Sequence, residues 1–161
     1  MSCKILNLSH SDTNDGASIA ALRIHLSVNR LINSGFESKM VVAKKETDLS
    51  SIYGPNKKSF LYYYNILKSK VSNYLQLIQK TNNPIHHSIS IFPNRILTFL
   101  NNSDSDIVHL NWVQNEMLSV EAIGKITKPI VWTLHDSWPF CGSEHHPNGI
   151  NDERFKVGYF K

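Results

Sequence analysis

Two adjacent side chains, His135 and Asp136, stand where a short apolar run ends, and together they could carry chemistry. A histidine beside a carboxylate can act as a general base or orient a ligand, and an aspartate that opens a turn can equally cap it. The position favours ligand contact for His135, with a core histidine as the alternative. For Asp136, spacing alone favours a structural cap.

Gly16 and Ala17 form a second candidate, at the start of a predicted helix. Small residues there let backbone N–H groups approach a ligand, and the N-terminus of a helix favours negative charge, so a phosphate or a sugar hydroxyl would fit. The alternative is that Gly16 permits a turn and Ala17 permits close packing. A complete G-x-G-x-x-G motif is absent, so both interpretations stay open.

A third group, Cys141, His145 and His146, has the side chains of a zinc site within six residues. No fourth ligand stands at a recognisable spacing, and adjacent histidines seldom bind one ion together. We therefore predict polar loop residues here and no bound metal.

The pattern of apolar residues predicts the elements that must position these groups. Strands are expected at 4–8, 39–43, 106–110 and 130–134, and helices at 16–33, 60–80, from Pro93, and at 119–126 with Ser119 as N-cap. Two strand–helix–strand units imply a parallel sheet. The predicted fold class is α/β, a Rossmann-like parallel sheet with helices on both faces.

The candidate residues follow predicted strands, and the carboxyl ends of parallel strands meet at one edge of a sheet. The loops 9–16, 111–112 and 135–139 should therefore line one crevice. We predict His135 as the catalytic residue. The predicted substrate-binding residues are Gly16, Ala17, Asn111, Trp112, Asp136 and Trp138.

The predicted helix 60–80 is amphipathic, basic and rich in tyrosine. Its apolar residues alternate in steps of three and four: Phe60, Tyr64, Leu67, Val71, Tyr74 and Ile78. Packing against the sheet is one interpretation, and peripheral contact with an anionic membrane is the other. Both hold if the helix protrudes at one end.

The composition is that of a globular domain: 161 residues, 41% hydrophobic, 19% charged. The net charge of +4 is too modest, and too unlike a stripe, to predict nucleic-acid binding. Two isolated cysteines make no disulfide framework, so we expect a reducing compartment, the cytoplasm. No apolar run is long enough to span a membrane.

Four stretches resemble glycosyltransferase family 4, in the group that builds bacterial surface polysaccharides. They are 4–13, 16–26, 106–112 and 128–142. The most specific reads KPIVWTLHDSWPFCG, from Lys128 to Gly142, and is followed by Glu144 and His145. Residues 50–94 carry no signature of the family.

The resemblance implies a GT-B architecture, in which two Rossmann-like domains face each other across a cleft. Such enzymes retain anomeric configuration, usually need no metal, and hold the nucleotide sugar through an E-x7-E motif in the C-terminal domain. The family position that matches His135 contacts the donor sugar or its phosphate. This chain departs from the family at Asn14-Asp15-Gly16, where glycines are common, and at Asn111, where histidine is common.

We therefore expect 1–161 to be one N-terminal, acceptor-side domain that ends before the donor-binding half and is inactive alone. The full enzyme would move a hexose from a nucleotide sugar, its co-substrate, to a lipid-linked or polysaccharide acceptor at the cytoplasmic membrane face. No cofactor is expected on this chain. The alternatives are a stand-alone glycan- or lipid-binding module, and a metal-dependent hydrolase built on Cys141, His145 and His146.

Overall fold

Five strands pair into one sheet in which each strand is parallel to its neighbours. The computed structural model describes residues 2–31, 35–78, 83–93 and 95–158. The strands are β1 (Cys3–Ser11), β2 (Phe36–Lys44), β3 (Ile52–Tyr53), β4 (Ile107–Leu110) and β5 (Ile130–Trp132), in the spatial order β3-β2-β1-β4-β5. The predicted Rossmann-like α/β fold is confirmed.

Five helices connect or follow these strands: α1 (Gly16–Arg30), α2 (Phe60–Gln76), α3 (Ile96–Asn102), α4 (Val120–Gly124) and α5 (Arg154–Val157). The predicted N-cap of α4 is confirmed, because Ser119 Oγ accepts a hydrogen bond from the Ala122 N–H at 3.1 Å. At α1 the cap is Asp15, whose Oδ1 accepts from the Ser18 N–H at 2.7 Å. Asn33 and Lys80, the predicted helix ends, lie outside the described residues.

Strand β1 continues three residues beyond Leu8, where the sequence predicted a loop. Ser9 and Ser11 pair with β2, and the His10 N–H donates to the Trp112 carbonyl at 2.7 Å. Polar side chains hid this extension, because a strand is set by backbone pairing as well as by apolar alternation. For the same reason the polar segment 46–58 conceals the short strand β3.

Side chains alternate across the sheet and form two separate cores. On one face Ala21 of α1 packs with Met40, Val42 and Ile52. The larger core, on the other face, combines strand residues with α3, α4 and the irregular segment 111–118: Leu6, Leu8, Val41, Ala43, Leu100, Val108, Leu110, Val113, Met117, Leu118 and Ala122. Segment 111–118 thus helps to complete the hydrophobic layer on that face.

A buried polar row crosses the α1 face of the sheet. Asn7 Nδ2 donates to Ser38 Oγ at 2.7 Å, and Asn7 Oδ1 lies 2.6 Å from His109 Nδ1. His25 Nδ1 of α1 lies 2.7 Å from the same Ser38 oxygen. Burial lowers the pKa of both histidines, which favours neutral rings. The row ties α1, β2, β1 and β4 together by hydrogen bonds.

Helix α2 turns its polar side toward the body of the domain. Five polar residues at alternating steps of three and four hydrogen-bond to the rest of the chain: Tyr62, Asn65, Ser69, Ser72 and Gln76. The apolar row on the opposite side is exposed, from 41% at Val71 to 84% at Phe60: Phe60, Tyr64, Leu67, Val71, Tyr74 and Ile78. Packing of this row against the sheet, the first interpretation of the sequence, is therefore wrong.

Candidate functional site

The candidate site lies where β1 and β4 end side by side. From β1 the chain proceeds to β2 on one side, and from β4 it proceeds to β5 on the other, which makes this gap the topological switch point of the sheet. The Asn111 N–H donates to the Leu8 carbonyl at 3.0 Å, and the Thr133 N–H donates to the Leu110 carbonyl at 2.9 Å. The loops after β1, β4 and β5 therefore meet, as the strand order predicts.

His135 and Asn111 contact each other at this edge. His135 Nε2 lies 3.3 Å from Asn111 Oδ1, and the His135 side chain is partly exposed. Asn111 is 1% exposed, and its Nδ2 has no hydrogen-bond partner among the described residues. Of this pair, the His135 imidazole is the group that a ligand can reach, because the Asn111 amide is buried.

Asp136 makes hydrogen bonds with four groups of the site. Its Oδ2 accepts from Trp112 Nε1 at 2.8 Å and lies 2.6 Å from His145 Nδ1, while its Oδ1 accepts from Gln114 Nε2 at 3.3 Å. The Trp138 N–H, 3.1 Å from Oδ1, confirms the predicted turn cap. Burial raises the pKa of Asp136, but the hydrogen bonds from His145 and Trp112 outweigh burial and leave it below its usual range.

Because both oxygens of Asp136 are engaged, its part in the site is to orient other groups. It fixes the Trp112 ring, which also meets the His10 ring edge-on at a centroid distance of 5.5 Å. Trp138 is 4% exposed and donates its Nε1 to the Ser88 carbonyl at 2.7 Å, so it packs inside the domain. The structure thus places Asn111, Trp112, His135 and Asp136 together and sets the Trp138 ring apart from the crevice.

Three residues near the crevice were not singled out from the sequence: Ser9, His10 and Gln114. Each is at most 5% exposed, and Ser9 Oγ, both ring nitrogens of His10 and Gln114 Oε1 have no hydrogen-bond partner in the described part of the chain. Burial, together with the charge of Lys44, lowers the pKa of His10 to about 4. The signal of Ser9 and His10 in the sequence is a polar run, 9–12, that directly continues an apolar strand, whereas Gln114 has no such signal.

Gly16 and Ala17 form the first turn of α1, beside the same edge. A Cβ added at Gly16 would meet no atom within 4 Å, so close packing does not require the glycine. The Asp15 carboxylate already occupies this helix N-terminus through its bonds to Ser18. Since a second anion there would be repelled, the turn suits a sugar hydroxyl better than a phosphate.

His145, one of the three residues of the zinc alternative, has both ring nitrogens engaged by other side chains. His145 Nδ1 is held by Asp136, and His145 Nε2 lies 2.9 Å from Ser88 Oγ. Within residues 2–31, 35–78, 83–93 and 95–158, no group of three or more His, Cys, Asp or Glu side chains is arranged to hold a metal ion. His145 instead links the segment around Ser88 to Asp136.

Comparison with family models, with curated proteins and with solved structures finds no match.

Proposed function

We propose that this chain is the acceptor-side domain of a retaining glycosyltransferase that moves a hexose from a nucleotide sugar to a lipid-linked or polysaccharide acceptor. Its main support is the position of Asn111, Trp112 and His135 after strands β4 and β5, at the edge of a parallel sheet where ligands usually bind. The Trp112 and His135 side chains keep some exposed surface there, whereas the unpartnered atoms of Ser9, His10, Asn111 and Gln114 are buried. A sugar supplies several hydroxyl groups at short spacing, and each hydroxyl can donate and accept.

Two groups at the crevice suit a sugar in different ways. The Trp112 ring, fixed through its Nε1 by Asp136, offers an apolar surface to the carbon face of a sugar. His135, beside Asn111, is placed to hydrogen-bond the donor sugar or its phosphate and so stabilise the leaving group, the role implied by the family resemblance.

Calorimetry of the 161-residue chain with a panel of bacterial surface glycans tests the acceptor role. We expect saturable binding that weakens about five- to tenfold in Trp112→Ala, which loses the apolar surface offered to the sugar, whereas His135→Ala, assigned to the donor, should bind acceptor glycans as the wild type does. His146→Ala is the matched control, because His146 is exposed in the same loop region. Absence of saturable binding, or equal binding by Trp112→Ala and the control, would refute the proposal.

The stand-alone glycan- or lipid-binding module remains the second candidate, and the exposed apolar row of α2 favours it. The reading frame downstream of Lys161 separates the two candidates. A second strand–helix-rich domain with an E-x7-E motif supports the transferase, whereas a stop codon directly after Lys161 supports the module.

We further propose that α2 rests on an anionic membrane, at its cytoplasmic face, through residues 60–80. The apolar row is exposed, and residues 49–103 contain six Lys or Arg and no Asp or Glu. The rest of the chain carries 11 Lys or Arg against 13 Asp or Glu, so the segment that contains this helix is the net positive part of the sequence, and the carboxylates of Glu46 and Glu116 that contact α2 meet its polar side. An apolar row beside cations is the pattern of an interfacial helix. Among the described residues, no helix is both long and apolar enough to cross a bilayer.

Co-sedimentation with phosphatidylglycerol vesicles tests this contact, with phosphatidylcholine vesicles as the neutral comparison. Leu67→Asp should weaken binding about tenfold or more, since burial of a leucine side chain contributes about 1.5–3 kcal/mol. Ile19→Asp, an exposed apolar position on α1, is the control and should change nothing. Equal binding to both vesicle types, or an unaffected Leu67→Asp variant, would show that α2 does not dock on anionic lipid.

A further inference from the structure

A large apolar cavity lies between α2, α3 and the β2 side of the sheet. Its volume is about 710 Å³, inside the range of small-molecule sites. Val41 and Ala43 of β2 contribute to one wall, Tyr64 of α2 to another, and Ile96 and Phe99 of α3 to a third. Most of the residues around this space are apolar, so it suits a hydrocarbon better than a sugar.

Beside the cavity, α2 is attached to the rest of the domain by polar contacts. Asn65 Nδ2 reaches the Ala43 carbonyl at 2.9 Å, and Ser72 Oγ donates to Glu116 Oε1 at 2.6 Å. No apolar side chain of α2 belongs to the larger core as far as the chain is described. The space is open to solvent and exposes apolar side chains such as Phe60, Tyr64 and Phe99, so an apolar ligand bound there would remove their surface from water.

Two cations border the cavity, Lys68 and Arg95. Lys68 is 8% exposed, yet its Nζ makes no hydrogen bond or ion pair with any described residue. The nearby carboxylate, Glu116, is engaged elsewhere, by Ser72 Oγ and by the Phe92 N–H at 2.8 Å. Burial lowers the pKa of Lys68, and the charge of Glu116 opposes that shift only in part. The Lys68 side chain is mostly buried beside an apolar cavity and its ammonium group has no hydrogen-bonded partner among the described residues, so it can pair with an anionic ligand.

We propose that this cavity binds the hydrocarbon tail of a membrane lipid whose phosphate headgroup pairs with Lys68 and Arg95. The charge of the lining suits an anion, because its two cations, Lys68 and Arg95, outnumber its one carboxylate, Glu116, whose oxygens already accept hydrogen bonds from Ser72 Oγ and the Phe92 N–H. Identification of this lipid with the lipid-linked acceptor rests on the proposed function. The preference for an anionic ligand with a long tail does not rest on it, because the sugar crevice involves different residues.

Calorimetry with monomeric alkyl phosphates of increasing chain length tests the tail site. Each added methylene should tighten binding about fourfold until the cavity is full, which corresponds to about 0.8 kcal/mol per buried CH₂. An alkyl maltoside of the same tail, which has no charge, should bind at least tenfold more weakly. Affinity that is independent of tail length, or equal for phosphate and maltoside, would overturn the proposal.

Variants of the residues that line the cavity test whether alkyl phosphates bind there. Ala43→Phe fills the cavity and should abolish binding of the long alkyl phosphates. Arg95→Gln, at an exposed position, and Lys68→Met should each weaken binding about tenfold, while Lys70→Gln, exposed on the same helix, is the control. If these variants bind alkyl phosphates as wild type does, the site is not this cavity. If they lose alkyl phosphate binding but keep glycan binding, the two sites are independent.

Discussion

Helices α1 and α2 are both amphipathic, but they meet the domain in opposite ways. Helix α1 packs Ala21 and His25 against the sheet, and Leu22 joins the small core there while remaining partly exposed. Helix α2 buries Ser69 and Ser72 and exposes its apolar row. The same sequence pattern therefore produces a core helix in one place and a surface apolar row in the other.

The difference follows from what already covers each face. Helix α1 connects β1 to β2 and contacts both strands directly. On the other face, the fully buried side chains of Val113 and Leu118 already fill the core. Helix α2 therefore lies against the polar backbone of the same segment, where Ser69 Oγ donates to the Asn115 carbonyl at 2.9 Å. A helix that rests on polar groups must present its polar side to them, because buried donors and acceptors need partners.

The largest expected change in stability separates two single variants, each of which replaces a leucine of one helix with aspartate. Leu22→Asp on α1 should lower the free energy of unfolding by about 4 kcal/mol, because it removes apolar burial and puts a carboxylate beside the core. Leu67→Asp on α2 should change it by less than about 0.5 kcal/mol, as expected for an exposed position. Urea denaturation followed by circular dichroism measures both values, and similar losses in the two variants would break the comparison.

The pH dependence of the free energy of unfolding tests the buried, unpartnered state of His10. The folded chain holds the pKa of His10 at about 4, mainly through burial. An unfolded histidine titrates near about 6.5, so only the unfolded chain gains a proton as the pH falls through this window. Stability should be complete above about pH 6.5 and fall toward pH 4, with about 3 kcal/mol of the loss due to this residue.

The His10→Gln variant isolates that contribution. Denaturation at pH 7.5 and at pH 4.5 should show a smaller acid loss in this variant than in the wild type, whereas the exposed His146→Gln control should keep the full loss. Other buried histidines, such as His25, add to the loss in every variant and cancel in the difference. Parallel pH profiles for His10→Gln and the wild type would contradict the buried, neutral state of His10.

The smallest effect concerns the polar attachment of α2. Ser72 is 2% exposed, and Ser72→Ala should cost about 2 kcal/mol because it leaves the buried Glu116 carboxylate short of a donor. Ser27→Ala, at an exposed position on α1, should be neutral within about 0.5 kcal/mol. Equal stabilities of the two variants in urea would mean that the polar row does not hold α2.

The sequence was a good guide to the fold wherever apolar periodicity is strong. It predicted four of the five strands and the approximate place of α1, α2 and α4, because these segments bury or present regular apolar rows. It missed β3, whose two residues pair with β2 inside a polar segment, and α5, which shows no apolar period. Strand β3 is defined by its pairing with β2, and the Arg154 side chain of α5 bonds to Glu144 and Asp152, so neither element is marked by an apolar pattern of its own.

The candidate site was predicted at the level of its loops. Strand order brings Asn111 and His135 together, and the predicted cap at Asp136 is present. The sequence did not identify His10, because a polar residue after an apolar run resembles the start of a loop until backbone pairing shows that the strand continues. Contact of a ligand with any of the predicted site residues stays a prediction.

By itself the sequence determined the elements and their two-sided character, since periodicity fixes which residues share a face of a helix or strand. Only the tertiary structure decided which face of α2 points inward. That orientation depends on segment 111–118, whose apolar side chains already occupy the core on that side of the sheet. It also decided which polar groups are left without partners, since satisfaction of a buried group is a property of its neighbours in space. The crevice and the cavity are therefore visible only in the tertiary structure.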